Sequence, residues 1–105
     1  MGNEILENNK LMAEFENRAF GMSVASDYKG DIPLGLVRGL KYHTSWDELM
    51  PVVEKIESFG YSCEIELFSC YVIDSETLST IIECHYNSKI ESVYKAVIKF
   101  IKSHT

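Results

Sequence analysis

The residues with the most chemical capacity lie in Tyr42–Asp47, YHTSWD, where His43 stands near Asp47. A histidine beside a carboxylate is the usual pairing for a general base. No nucleophile, pair of oxyanion donors or glycine-rich loop accompanies it, so the pair completes no reaction centre. The competing reading is structural: Tyr42 and His43 close the approach to a helix, and Trp46 anchors that helix in the core. Cys63, Cys70 and Cys84, with His85, raise the question of zinc. Structural zinc sites draw on close pairs such as Cys-x-x-Cys, whereas Cys63 and Cys70 are seven positions apart. Cys84 and His85 are adjacent, which sends their side chains to opposite faces of a strand. The cysteines therefore read as small core hydrophobes. Glu64 and Glu66 share a strand face with Phe68, and paired carboxylates can exchange protons or hold a cation. On a solvated face they serve solubility and edge protection instead. Lys95, Lys99 and Lys102 could meet phosphate, but they lie opposite an apolar helix face and lack interleaved aromatics. The sequence assigns no catalytic residue, no metal and no cofactor.

The elements that must position these residues are marked by their own signals. In Leu40–Gly60, Ser45 and Glu48 have capping-box spacing, and Gly60 stands where a left-handed residue ends a helix. The spacing predicts a helix from Trp46 to Ser58 with Trp46, Leu49, Met50, Val53 and Ile56 inward. Pro51 removes one internal hydrogen bond, at roughly 3 kcal/mol, and predicts a kink or a tight first turn. Asn3–Phe15 is helical by period, with Ile5, Leu11, Met12 and Phe15 on the buried face. Asn8 and Asn9 are weak helix formers, so that helix depends on docking. Tyr61–Ile73 reads as strand with a bend near Ser69, Asp74–Glu76 as a turn, and Leu78–Cys84 as a further strand. A strongly amphipathic helix is expected from about Ser88 to Ser103, capped by Asn87 or Ser88, and Ser88 with Glu91 repeats the capping-box spacing. Glu16–Gly39 is the least patterned region and holds four of the six glycines. Short strands are expected there at Phe20–Ala25 and Leu34–Val37, joined by a turn at Tyr28–Asp31.

This order gives one α+β domain over residues 1–105: three helices and a three- to four-stranded, mainly antiparallel sheet with helices packed on its faces. Ten Lys and Arg against sixteen Asp and Glu give a formal net charge of −6. That balance argues against nucleic acid and anionic membrane as partners, since both need a basic field. No secretory signal, membrane span or myristoylation pattern is legible, and three cysteines form no paired motif. A reducing cytoplasm is the expected setting.

At Tyr42–Glu57, YHTSWDELMPVVEKIE, the chain resembles a family of small proteins from Bacteroidetes and their phages, the phage ABA sandwich domain. NNKLMAEF (Asn8–Phe15) resembles that family's first helix, and SKIESVYKAVIKFIK (Ser88–Lys102) its last. The Gly60-Tyr61 helix exit agrees as well, whereas Glu16–Gly39 and Ser62–Tyr86 match poorly. Glu48 stands where the family usually has an aromatic residue. The resemblance implies an alpha-beta-alpha sandwich and a phage or prophage setting, with the host cytoplasm as location. It implies no activity and brings no site residues.

The function expected is that of a non-enzymatic protein-binding module, a small accessory protein that engages a host or phage protein. Glu16–Gly39 is the expected contact segment, with Tyr28 and Asp31 as binding candidates, because loops carry recognition on a fixed scaffold. The alternative is a nucleotide or metabolite binder, or a minor enzyme, with its site at a sheet edge near His43. A homodimer formed through an exposed edge or helix face is a third reading.

Overall fold

The computed structural model describes residues 2–20 and 39–104, and the side chains within 4–16 and 39–104. The described residues form α1 (Gly2–Phe20), α2 (Trp46–Ser58), β1 (Tyr61–Ile65), β2 (Ser69–Asp74), β3 (Thr80–His85) and α3 (Lys89–Ser103). The strands pair in the order β1-β2-β3, antiparallel throughout. The α+β class expected from the sequence is the one that forms. The expected strand at Leu34–Val37, the turn at Tyr28–Asp31 and most of Phe20–Ala25 lie outside the described residues; Phe20 itself closes α1.

Two short loops fold the sheet back on itself. At the β1–β2 hairpin the Glu66 amide donates to the Ser69 carbonyl at 2.8 Å, so the bend lies at Glu66–Phe68 rather than at Ser69. Between β2 and β3, Asp74 Oδ1 accepts from the Glu76 amide at 2.9 Å, the side-chain mimic of a turn. The inward row is Tyr61, Cys63 and Ile65 on β1, Cys70 and Val72 on β2, and Ile82 and Cys84 on β3. The helical layer of the sandwich stacks on that side: α2 packs over β1, α3 over β2 and β3, and α1 against α2 and α3. Among the described residues, the opposite sheet face, with Glu64, Tyr71, Ile73, Glu83 and His85, takes no part in the core.

The helices follow their periodicity, with informative departures. Leu49, Val52, Val53 and Ile56 of α2 are buried, and α2 runs through Pro51 without a break. Trp46, expected to anchor α2, is 37% exposed, because it occupies the first position of the helix, ahead of the first buried turn. Tyr42 fills the core there instead, and is buried. The capping box at Ser45 does not close: its side chain caps nothing, and its amide already donates to the Lys41 carbonyl at 2.8 Å. Glu48 reaches past it and accepts from the Lys41 amide at 2.9 Å. At α3, Ser88 Oγ does accept from the Glu91 amide, at 3.2 Å. Gly60 has φ +97°, as a helix-ending residue should. In α1 the buried face is Asn8, Asn9, Met12, Ala13 and Phe15, while Ile5 turns outward. The expected stripe was displaced because the two asparagines, rather than Ile5, face the core.

Candidate functional site

His43 lies between helices and not at a sheet edge. It borders a cleft of about 500 Å³ lined by Glu4 and Ile5 of α1 and by Ser88, Ile90, Glu91, Tyr94 and Lys95 at the start of α3. That volume is in the range of small-molecule sites, about 300–1,000 Å³. Lys95 Nζ stands 3.4 Å from Glu4 Oε1, an ion pair at the wall of the cleft.

A buried asparagine sets the orientation of His43. Asn9 Nδ2 donates to the Leu40 carbonyl at 3.1 Å and lies 3.2 Å from His43 Nδ1, while the Tyr94 hydroxyl donates to Asn9 Oδ1 at 3.0 Å. A carbonyl can only accept, so the nitrogen of Asn9 must be the atom that faces Leu40. The same nitrogen then donates to His43 Nδ1, and the neutral imidazole carries its proton on Nε2. Burial pushes the Tyr94 phenol up to about 12, partly opposed by the Asn8 amide, so it stays a donor. Tyr42, on the same loop, gives its hydroxyl to Glu16, and burial first, then that bond, holds its phenol far above the usual range. The cleft thus offers the His43 ring, an ion pair and two isoleucines. It can hold a small amphipathic molecule. Among the described residues no nucleophile partners His43, and Asp47 makes no bond to it; His43's ring bond goes to Asn9.

Ser69, His85 and Glu83, which the sequence does not connect, come together on the face of the sheet opposite the helices. Ser69 Oγ lies 2.8 Å from His85 Nδ1, and His85 Nε2 lies 2.6 Å from Glu83 Oε2. The order serine–histidine–carboxylate has the connectivity of an acyl-transfer triad. Its setting does not: the His85 and Glu83 side chains are 54% and 56% exposed, where water screens every charge. The signal that could have found the row is the i, i+2 spacing of Glu83 and His85 on a strand.

Cys70 and Cys84 are buried and face each other across β2 and β3, and Cys63 is half-buried beside them. Burial, then the neighbouring Cys70 thiol, pushes Cys63 up to about 12; burial, then Cys84, does the same to Cys70. Among the described residues no cluster of His, Cys, Asp and Glu could hold a metal ion. Tyr28 and Asp31 lie outside the described residues. No described helix is long and apolar enough to cross a membrane. No family model, curated protein or solved structure matches the chain.

Proposed function

We propose that the chain is a small phage- or prophage-associated accessory protein acting in the host cytoplasm as a non-enzymatic protein-binding module. Its partner, a host or phage protein, docks on the open face of the sheet. The observation that carries this reading is that the face opposite the helices keeps Tyr71, Ile73 and Ile81 out of the core. Leu67 and Phe68, both exposed at the hairpin tip, extend the apolar surface at one end. Aromatic and aliphatic groups grouped on one face are what a docking surface needs. The phage setting is supported by the sequence resemblance alone. The test is affinity capture of the tagged chain from lysate of a bacterial host, beside a Tyr71→Ser/Ile81→Ser variant. One dominant partner, lost with the variant, is the expected result. Loss on Tyr28→Ala or Asp31→Ala instead would put the contact on the 16–39 segment and overturn the sheet-face reading.

The cleft at His43 favours a second reading, a small-ligand binder. A ligand of the native state raises the unfolding midpoint by mass action. Thermal shift against nucleotides and common metabolites, repeated with His43→Ala, separates the two: a shift abolished by the substitution supports the cleft, and silence across the panel leaves the protein partner ahead.

A further inference from the structure

The charge of the chain is unevenly distributed. Between Tyr61 and Ser88, the stretch that contains the whole sheet, Glu64, Glu66, Asp74, Glu76 and Glu83 stand against no lysine or arginine. That is −5 of the formal −6; the rest of the chain holds ten bases against eleven acids and is close to neutral. The strand register concentrates the effect. Glu64 pairs with Tyr71, and Tyr71 with Glu83, so a carboxylate–phenol–carboxylate row crosses the open face of all three strands. Strand spacing of about 4.8 Å puts the two glutamates roughly 10 Å apart with the tyrosine between them. Among the described residues Glu64 makes no ion pair, and Glu83 pairs with His85.

We infer that the partner of the open sheet face is a protein surface rich in lysine and arginine, with one cationic side chain seated over Tyr71 between Glu64 and Glu83. This rests on the docking reading given above. A guanidinium there gains the ring quadrupole of Tyr71 and two carboxylates at once. The same charge rejects the other occupants. A second copy would bring like charge onto like charge, and an anionic membrane or a nucleic acid would be repelled by the same field. Glu64 and Glu83 on this face, within the segment that carries −5 of the formal −6, also steer a basic partner to this side, an effect that falls as salt rises.

The test uses the full chain, amide NMR spectra and a short peptide that alternates arginine with threonine; its counterpart has glutamate for arginine. The arginine peptide is expected to shift amides around Glu64, Tyr71 and Glu83, and the glutamate peptide to shift none. Glu64→Lys/Glu83→Lys is expected to lower affinity at least about tenfold. Glu7→Lys/Glu54→Lys makes the same change in net charge at exposed helical positions and is expected to stay within about twofold. The amide spectra of both variants report whether the fold is intact. Equal losses in the two variants, or no binding of the arginine peptide, would overturn the inference. A captured partner that needs Tyr71 and Ile81 but is indifferent to Glu64→Lys/Glu83→Lys would overturn it too, while leaving the docking reading in place.

Discussion

Asn9 shows what one side chain can organise. It sits in a helix where its propensity is poor, yet its amide joins α1 to the Leu40 carbonyl, to His43 and, through Tyr94, to α3. An apolar residue at that position would leave three polar groups without this partner in the interior. Asn9→Asp is nearly isosteric but turns an acceptor toward Leu40 and His43. We expect it to lower the unfolding free energy by about 2–4 kcal/mol in denaturant titration. An unchanged midpoint would mean that the amide is not oriented as described. Leu78 is the opposite case, a residue held against its preference. It has φ +59° and is 78% exposed, so the left-handed backbone is offset by no packing of its own. Leu78→Gly should stabilise the chain by up to about 1 kcal/mol, read as a higher thermal midpoint. A lower midpoint would show that the side chain contributes more than its exposure suggests.

At the scale of elements, what was legible in the sequence was whatever is set by local pattern. α2 begins and ends where Trp46 and Gly60 placed it, and α3 is capped by Ser88 as its spacing required. What was not legible depends on which neighbour takes up a hydrogen bond. The Glu48 half of the box at Ser45 does not form because the Lys41 carbonyl takes the Ser45 amide and Glu48 accepts from the Lys41 amide instead, a competition that spacing cannot show. The cleft was visible only as His43; Asn9 and Tyr94 lie 34 residues before it and 51 after, and meet it only once the helices pack. The sheet offers a test of its own. Its cysteines pack as small hydrophobes, and burial holds the Cys63 and Cys70 thiols up at about 12 against an ordinary 9.0. Native thiols should therefore resist alkylation at pH 8 and react once urea unfolds the chain. The sign of the linkage follows. The folded state favours the protonated thiol, so this stability is complete below about pH 9 and is lost as the pH rises from 9 toward 12. Cys63→Ala/Cys70→Ala should lose less across that window in pH-resolved unfolding, and an equal loss would exclude the thiols as its source.

At the scale of the whole molecule, the helices and the sheet divide the work. Among the described residues α1 packs on α2 and α3, these pack on one face of the sheet, and the other face carries the Glu64–Tyr71–Glu83 row. A polar, half-exposed serine–histidine–glutamate line on that face is better suited to contacting a partner than to excluding water from a reaction. The molecule thus has two surfaces that could recognise something, the open sheet and the His43 cleft, and they lie on different sides of the core. The measurement that separates them most directly is hydrogen exchange of the chain alone and with its captured partner. New protection is expected in β1, β2 and β3, around Glu64, Tyr71 and Glu83, with the Glu4–Asn9 and Ser88–Lys95 peptides unchanged. Protection confined to the peptides that line the cleft, with the strands exchanging as before, would contradict the sheet-face reading.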